Sequence, residues 1–304
     1  MPEDLKLDSI HAQDIAARGG STSQPEEPAR KPRRISRNLS AARSLALTPV
    51  EHVRVGGLKV TTLSCTQLID LMLSEAPRLR QHSTPACRLL FSSNGHSLSL
   101  RARDLDYRQA VDAGDIVHAD GGSIVAASRF LAGKPIADRS ATTDLFLESL
   151  KAAAERRVGY YLLGGREEVN AACAAELVTR HPGLQIAGRH HGYFNSAEED
   201  AIIDDINRSG ADVLWVGLGK PLEQTFCIRN KHRLKVGWAV TCGGLFNFVT
   251  GDYPRAPLWM RKRGLEWLHR LATNPRHLFW RYATTNPHAL WLMLRHRSRA
   301  IEQA

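Results

Sequence analysis

The stretch VGYYLLGG, residues 158–165, decides the fold of this chain of 304 residues. Its first six residues form a continuous apolar and aromatic run, which is typical of a strand buried on both faces. Its glycine pair predicts a tight turn, and residues 167–180 predict a helix that Pro182-Gly183 ends. Residues 184–187 predict the next strand, so the region as a whole predicts one right-handed strand–helix–strand unit.

The same alternation extends over most of the chain. Four further apolar runs predict strands at 88–91, 115–118, 212–216 and 236–241. Helical patterns separate them, including one over residues 97–113 and one that Ser196 begins, with Glu199 at the spacing of a capping box. Strands that alternate with helices of this length form mostly parallel sheets. The sequence therefore predicts an α/β fold with a Rossmann-like, mostly parallel sheet flanked by helices.

The net charge of +10 is unevenly distributed along the chain. Residues 1–45 contribute +2 and residues 46–250 contribute +1, whereas residues 251–304 contribute +7. The last segment also contains four of the six tryptophans, Trp259, Trp267, Trp280 and Trp291. We expect a disordered N-terminal tail over 1–45, an α/β core over 46–250 and a basic helical C-terminal appendage over 251–304. Such an appendage suits an anionic membrane surface or a nucleic acid, and a solvated helical tail packed on the core is the alternative.

The composition excludes several classes of protein. The 43% of hydrophobic residues can bury a core, and the five cysteines, which contain no CxxC pair, disfavour a disulfide scaffold and a zinc ribbon. The start of the chain lacks the layout of a signal peptide. A membrane-spanning helix needs about 20 mostly apolar residues, and the longest uncharged stretch, 236–251, is interrupted by four glycines. We therefore expect a cytoplasmic protein without a spanning helix.

Small and polar residues follow five of the predicted strands. They are Asn94, Asp120, Gly164-Gly165, residues 217–221 and Gly243-Gly244. The carboxyl ends of parallel strands meet at one edge of the sheet, and ligands bind there. Glycine turns let backbone N–H groups approach a diphosphate, although glycine is also routine at tight strand–helix turns. Neither GxGxxG nor GxxxxGK occurs, which disfavours an ordinary dinucleotide site and a P-loop.

Asp120 is the acid best placed for chemistry, because it ends a strand just before two glycines. A carboxylate there can take a proton from an attacking hydroxyl, and an Asx turn or a helix cap is the structural alternative. Asp104 and Asp106 form a DxD pair inside the predicted helix 97–113, where positions i and i+2 do not face each other, so we interpret them as solvated surface. No His, Cys or Asp cluster has ligand spacing, and we predict no metal and no cofactor.

Seven motifs occur in the order of one bacterial enzyme family. They are FSSN (91–94), HADGGS (118–123), YYLLGG (160–165), HPGLQIAGRHHGYF (181–194), INRSGADVLWVGLGKP (206–221), TCGGLFNFVTGDYPRAP (241–257) and GLEWLHRLATNPRHLFWRY (264–282). With these motifs the chain resembles the WecG/TagA/CpsF family of bacterial glycosyltransferases over roughly two-thirds of its length. The blocks GDYPRAP and GLEWLHRL are the most specific.

The resemblance implies that a sugar moves from a UDP-sugar to a polyprenyl-diphosphate saccharide, with inversion and without a metal. It implies that Asp120 is the general base, that Ser92 and Asn94 form a turn at the substrate, and that Arg139 neutralises charge near the donor diphosphate or the acceptor. The substrate-binding residues that we predict are Ser92, Asn94, Arg139, Gly164, Gly165, Gly217, Gly219, Lys220, Pro221, Glu223, Gln224, Gly243, Gly244, Asn247, Arg255 and Arg263.

Two positions depart from the family pattern. The family's Pro-x-Gln-Glu is here Pro221-Leu222-Glu223-Gln224, and an Asp that follows its glycine turn is here Asn247. The first departure exchanges an amide and a carboxylate near the sugar or the diphosphate, where the exchange can alter sugar preference. Asp120, Asn94 and Arg139 are retained, so we expect an active enzyme.

Together these patterns predict a UDP-sugar transferase of exopolysaccharide or surface-glycan assembly at the inner face of the cytoplasmic membrane. Its expected partners are a UDP-sugar donor, a lipid-linked saccharide acceptor and an anionic membrane surface, without nucleic acid, and the oligomeric state is open. Arg139 and the backbone amides at 164–165 and 217–220 are expected to offset the charge of the leaving UDP. The alternative is a non-catalytic nucleotide- or nucleic-acid-binding module that uses the basic appendage, and such binding depends strongly on salt. A nucleotide-dependent oxidoreductase is disfavoured because the dinucleotide fingerprint is missing.

Overall fold

The computed structural model describes residues 47–84, 86–131 and 134–297. The predicted disordered tail, 1–45, lies outside the described residues, as does the end of the appendage, 298–304. In chain order the strands are β1 (His52–Val55), β2 (Leu58–Thr61), β3 (Arg88–Ser93), β4 (Ile116–Ala119), β5 (Gly159–Gly164), β6 (Gln185–His190), β7 (Val213–Gly217) and β8 (Trp238–Thr241). The helices are α1 (Cys65–Arg80), α2 (Gly95–Arg103), α3 (Leu105–Asp112), α4 (Gly122–Leu131), α5 (Thr142–Arg156), α6 (Glu167–Arg180), α7 (Glu199–Ser209), α8 (Leu222–Asn230), α9 (Leu245–Val249), α10 (Leu258–Lys262), α11 (Glu266–Thr273) and α12 (Pro275–Arg295).

One parallel sheet forms the centre of the fold. Its strand order is β4-β3-β8-β7-β5-β6, and every neighbouring pair in it is parallel. Strands β1 and β2 form a separate antiparallel hairpin. This architecture confirms the predicted Rossmann-like α/β fold. Because all six strands point the same way, the residues that follow β3, β4, β7 and β8 meet at one edge of the sheet.

Both faces of the sheet are buried along β3, β4, β5, β7 and β8, which explains why these strands are apolar without alternation. The edge strand β6 instead alternates between exposed and half-buried residues. On β7, Leu214 and Val216 belong to one hydrophobic cluster, whereas Val213 and Trp215 belong to the cluster on the opposite face. Trp215 is completely buried and meets the ring of Phe146 edge-on, with centroids 4.8 Å apart. Burying one large apolar side chain stabilises a fold by about 1.5–3 kcal/mol, so these two layers hold the sheet and its helices together.

The helix predicted over 97–113 is in fact two helices, α2 and α3. Asp104 lies between them in an extended conformation, with φ −117° and ψ 113°, and its side chain accepts the N–H of Tyr107 at 2.9 Å. An aspartate that bonds the third N–H of the next helix is a typical N-cap, so it starts a new helix rather than continuing the old one. The prediction that Asp104 lies inside a helix is therefore wrong.

The start of α7 also differs from the prediction. The helix begins at Glu199, and Ser196 makes no cap. Instead, Asn195 Oδ1 accepts the N–H groups of Ala197 and Glu198, and the Glu198 carboxylate accepts the N–H of Asn195. The capping interaction predicted for Ser196 and Glu199 is thus made by Asn195 and Glu198, one residue earlier. Asparagine competes with serine as a turn-forming acceptor, which explains the displacement.

The appendage is helical where it is described, and its last helix packs along α2. Ala289, Leu292 and Met293 of α12 belong to the same hydrophobic cluster as Leu98 of α2. None of the helices in the described part of the chain has the length and apolar character needed to cross a membrane.

Candidate active site

A cleft of about 920 Å³ lies at the carboxyl edge of the sheet, over the ends of β3, β4, β7 and β8. Helix α4 and the appendage helices α11 and α12 complete its walls. The predicted site residues that line it are Ser92, Asn94, Asp120, Arg139, Gly219, Lys220, Glu223, Gly243 and Gly244. The structure thus brings together the predicted residues of four strand ends in one cavity.

Asp120 lies at the centre of a hydrogen-bond network. Thr142 donates its N–H to Oδ1 at 2.9 Å and its hydroxyl to the same oxygen at 3.3 Å, and Asn94 Nδ2 donates to Oδ2 at 3.0 Å. Asn94 is itself held in place, because its Oδ1 caps α2 by accepting the N–H of Ser97. Each carboxylate oxygen has two lone pairs, so this network orients Asp120 and leaves it able to accept a proton.

The surroundings keep Asp120 ionised. Burial alone raises the pKa of a carboxyl group, but Lys220, the Thr142 N–H and the Asn94 amide together bring the pKa of Asp120 below its usual value. The carboxylate is therefore in the basic form at neutral pH. An ionised, oriented carboxylate in a cleft can act as a general base toward a hydroxyl group.

Lys220 is the cation next to this carboxylate. Its Nζ donates to the carbonyl oxygen of Ser92 at 3.2 Å and to the Ser92 hydroxyl at 3.1 Å. Burial lowers the pKa of Lys220, whereas Glu223 and Asp120 act in the opposite direction. The two carboxylates hold the ammonium group in the cleft, where it can attract an anionic ligand.

Glu223 joins the two glycine turns that follow β7 and β8. Its Oε2 accepts the N–H groups of Gly219 at 3.2 Å and Gly243 at 2.9 Å, and its Oε1 accepts from Gln224 Nε2 at 3.1 Å. The residue is 1% exposed, and burial raises the pKa of its carboxyl group in spite of the nearby Lys220. These two N–H groups are bound to Glu223 and are not free for a diphosphate, which differs from the expected use of the amides at 217–220.

Two histidines beside the network are neutral at physiological pH. Burial lowers the pKa of both His96 and His118 to about 4. Nδ1 of His118 lies 2.7 Å from the carbonyl oxygen of Ser140 and must donate to it, which leaves Nε2 unprotonated. That Nε2 is buried and has no hydrogen-bond partner among the described residues.

An ion-pair cluster joins the appendage to the core beside the cleft. Arg139 donates to the Glu266 carboxylate at 2.5 Å and to the carbonyl oxygen of Arg261 at 3.2 Å. Asp144 of α5 accepts from Arg255 at 2.8 Å and from Arg261 at 3.1 Å. Arg139 therefore lines the cleft, as predicted, but its charge is balanced by Glu266, and Arg255 is bound to Asp144 outside the lining.

Two further arginines line the cleft, and neither is among the substrate-binding residues predicted from the sequence. Arg270 of α11 lies over the ring of Phe248 at 5.4 Å, and Arg281 of α12 lies over the ring of Tyr282 at 5.0 Å. The arginine–carboxylate pairs of this region, among the described residues, include neither of them. Guanidinium groups without a carboxylate partner are well suited to phosphates. Tertiary packing brings Arg281 close enough to His96 for its charge to lower the pKa of that histidine. No local sequence motif encodes this proximity.

Thr142 is another residue of the cleft that the sequence motifs did not predict. Its N–H is one of the free donors at the start of α5, and it bonds Asp120 from 22 positions further along the chain. The available signal was the helix-start pattern of α5, with Asp144 in its first turn.

The remaining predicted residues do not line the cleft: Gly164, Gly165, Gly217, Pro221, Gln224, Asn247, Arg255 and Arg263. A Cβ atom on Gly164 would overlap the carbonyl oxygen of Gly217, so the two glycines allow β5 and β7 to approach closely. Gly165 donates its N–H to the same carbonyl at 3.3 Å. Arg263 is exposed and lies over the ring of Trp259. Packing between strands therefore accounts for Gly164, and the left-handed conformation, with φ +68°, accounts for Gly165.

Within the described ranges, no group of three or more His, Cys, Asp or Glu side chains could hold a metal ion. Asp104 is occupied in capping α3, and Asp106 is an exposed residue of its first turn. Metal independence stays a prediction.

The fold and the cleft together define an α/β protein with a ligand site that combines an oriented carboxylate with several cations at the carboxyl edge of its sheet. The chain belongs to the glycosyl transferase WecG/TagA/CpsF family, whose model matches residues 53–303. This confirms the resemblance that the motifs indicated.

Two curated relatives carry the same name, N-acetylglucosaminyldiphosphoundecaprenol N-acetyl-beta-D-mannosaminyltransferase. The protein of Bacillus spizizenii is 32% identical over 190 residues, which cover 62% of this chain and 72% of that protein. The protein of Bacillus subtilis is 29% identical over 180 residues, which cover 59% of this chain and 68% of that protein.

Proposed function

We propose that this protein transfers a sugar from a UDP-sugar to a saccharide carried on a polyprenyl diphosphate, with inversion at the anomeric carbon. The two relatives are named for transfer to such an acceptor, and their names specify a β-linked product. Transfer from an α-linked sugar nucleotide to a β-linked product inverts the anomeric carbon. Assembly of an exopolysaccharide or another surface glycan is the corresponding biological role.

The observation that carries the proposal is the ionised, oriented Asp120 beside Lys220 in the cleft. In the proposed reaction an acceptor hydroxyl oxygen attacks the anomeric carbon, and the bond from that carbon to the UDP oxygen breaks. The electron pair leaves with UDP, and the hydroxyl proton moves to Asp120. General-base catalysis of this kind typically contributes about 10²–10⁴-fold to the rate.

The leaving UDP needs positive charge, and the cleft offers it in a different place from the one expected. Arg139 is balanced by Glu266, and the Gly219 N–H is bound to Glu223. Lys220 and Arg270 are therefore the groups that we assign to the diphosphate of the donor. Fixed cations at the position where charge develops stabilise a transition state without reorganisation.

We further propose that the appendage binds the inner face of the cytoplasmic membrane, where a lipid-linked acceptor resides. Its large apolar side chains Leu258, Trp259, Trp280 and Trp291 are 55%, 55%, 73% and 49% exposed. Tryptophan and leucine bury apolar surface at the headgroup boundary, and each nearby Lys or Arg adds about 1 kcal/mol on an anionic surface. Exposed arginines of the same segment, among them Arg263 and Arg276, can supply that attraction.

Replacement of Asp120 by asparagine tests the proposed reaction. With UDP-N-acetylmannosamine as the first donor and N-acetylglucosaminyl diphosphoundecaprenol as acceptor, we expect Asp120→Asn to lower kcat by about 10²–10⁴-fold and to retain UDP binding. Asp106→Asn, which removes an exposed carboxylate outside the cleft, is the matched control and should leave the rate unchanged.

The same assay tests the other parts of the proposal. Near wild-type turnover of Asp120→Asn would remove the general-base assignment. Excess EDTA should leave turnover intact, and a complete loss that manganese or magnesium restores would show that a metal takes part. Release of UDP without a glycosylated lipid product would overturn the assignment of a lipid-linked saccharide as the acceptor.

A further inference from the structure

The cleft has a second, apolar end that the proposed sugar transfer does not use. It is lined by Ala127, Phe130 and Leu131 of α4 and by Ala289, Leu290 and Met293 of α12. We call these six residues the apolar groove. A site for a nucleotide and a saccharide has no use for two facing walls of this kind, because both ligands are polar over most of their surface.

Both helices change from polar to apolar along their length. Helix α4 contributes Gly122 and Ser123 in the first turn after the Asp120–Gly121 pair, and Phe130 two turns later. Helix α12 contributes Arg281 first and Met293 last, a distance of about 18 Å at 1.5 Å per residue.

The two apolar ends point toward the same part of the molecule. Met293 lies against Gly56, in the turn of the β1–β2 hairpin, and α4 contacts β1. The polar start of the α12 wall lies at the other end, where the charge of Arg281 acts on His96 and Lys220. The cleft therefore runs from the carboxylate and the cations to an apolar end beside the hairpin.

The walls of the groove expose apolar surface. Phe130 is 79% exposed and Leu290 is 57% exposed, although both line the cleft. Large apolar side chains exposed on both walls of one cleft mark a site for an apolar ligand. Arg281 lines the cleft at the polar start of the α12 wall, and its Nε is buried without a hydrogen-bond partner among the described residues.

We propose that the apolar groove binds the lipid chain of the acceptor next to its diphosphate, and that Arg281 binds that diphosphate. This inference rests on the proposed function, and it identifies the part of the site that recognises the lipid. A polyprenyl diphosphate saccharide has its parts in the same order as the cleft: a polar sugar, a dianionic linker and an apolar chain. This order distinguishes it from a protein segment or a second copy of the chain, since neither carries a diphosphate between a sugar and a lipid.

Two acceptors with the same headgroup separate lipid recognition from transfer. One is N-acetylglucosaminyl diphosphoundecaprenol, and the other is the same sugar diphosphate esterified to methanol, both assayed in detergent micelles. We expect the wild-type protein to have a much lower KM for the undecaprenyl acceptor. Leu290→Ser should raise that KM about tenfold, which corresponds to about 1.4 kcal/mol, and leave kinetics with the methyl acceptor unchanged.

Matched variants serve as controls. Leu294 is 54% exposed, one turn beyond Leu290, and does not line the cleft, so Leu294→Ser should leave both KM values unchanged. Arg281→Gln should raise KM about tenfold or more for both acceptors, because both carry the diphosphate. Arg78→Gln, at an exposed position of α1 outside both the cleft and the appendage, is the control for the arginine and should leave both unchanged.

A binding measurement keeps the inference independent of turnover. Undecaprenyl diphosphate should raise the Tm of the wild-type protein more than methyl diphosphate does, and Leu290→Ser should remove the difference. Equal KM values for the two acceptors, or equal effects of Leu290→Ser and Leu294→Ser, would overturn the proposal that the apolar groove binds the lipid chain. A Tm shift specific to the lipid without any sugar transfer would support the groove and overturn the proposed function instead.

Discussion

Glu223 joins the glycine turns after β7 and β8, and its replacement tests how the floor of the cleft is held together. In Glu223→Ala the N–H groups of Gly219 and Gly243 lose their acceptor, which in the native protein lies 3.2 and 2.9 Å away. The net contribution of one hydrogen bond to a charged group is about 1.5–3 kcal/mol, so loss of the two together predicts about 3–6 kcal/mol. That is a large part of the roughly 5–15 kcal/mol that stabilises a typical domain.

Glu223→Gln should be much milder. The glutamine oxygen can keep both N–H groups, and its NH₂ then faces Gln224, whose Nε2 donates to Oε1 in the native protein. The Oε1 of Gln224 is buried without a partner among the described residues, so rotation of that amide converts the clash into a hydrogen bond. The rearranged hydrogen bond to Gln224 leaves a loss of about 0.5–1.5 kcal/mol.

Both Glu223 variants differ from the wild type in the pH dependence of their stability, because both lack the titrating carboxyl group. Burial raises the pKa of Glu223 above 4.5, so between the unfolded and the folded pKa the folded protein binds more protons than the unfolded chain. Its contribution to stability is therefore complete below pH 4.5 and is lost as pH rises through the folded pKa. Glu223→Gln has no such titration and should gain stability relative to the wild type as pH rises.

Urea denaturation over a range of pH measures both effects. The control is Glu155→Ala, at an exposed position of α5, which should lie within about 0.5 kcal/mol of the wild type. A Glu223→Ala variant as stable as this control would refute the prediction that the hydrogen bonds of Glu223 to Gly219 and Gly243 stabilise the fold. A difference between wild type and Glu223→Gln that does not change with pH would refute the raised pKa.

Three further perturbations follow from the same contacts. Asn94→Ser keeps a helix cap but removes the amide donor to Asp120, the proposed general base. The pKa of Asp120 should rise, and the acid limb of the rate–pH profile should move to higher pH; an unmoved limb contradicts this. Gly164→Ala should lower the urea midpoint far more than Gly183→Ala. Both glycines have positive φ, but only the Cβ at position 164 would meet another strand, so equal losses would contradict this prediction. Trp280→Ser should weaken sedimentation with anionic vesicles more than Tyr193→Ser, at a similarly exposed position of the core, and equal binding contradicts the membrane proposal.

Strands β3, β4, β5, β7 and β8 could be predicted because they are buried on both faces. A continuous apolar run as short as residues 159–164 is typical of a doubly buried strand, and the parallel order then places Asp120 and Asn94 at one edge. Helix boundaries were harder. Asp104 ends one helix and starts another by bonding a single N–H, and the apolar spacing of residues 97–113 contains no sign of that break.

The partners of site residues could not be predicted, because they are distant in sequence. Lys220 bonds Ser92 across 128 positions, and Thr142 bonds Asp120 across 22. The sequence predicts that Gly164 and Gly165 bind a diphosphate, whereas close packing against Gly217 already requires Gly164, and a positive φ favours glycine at 165. A glycine turn has the same sequence in both cases, and only the identity of its neighbours in space distinguishes them.

The basic appendage illustrates the same point for charge. Its net charge of +7 is a property of the sequence, but the arginines have different uses in the structure. Arg255 and Arg261 are bound to Asp144, and they fasten the appendage to the core. Arg270 and Arg281 line the cleft, where they are suited to phosphate groups of substrates. Only the exposed remainder is available to an anionic surface, so membrane binding should depend less steeply on salt than the full count of basic residues suggests.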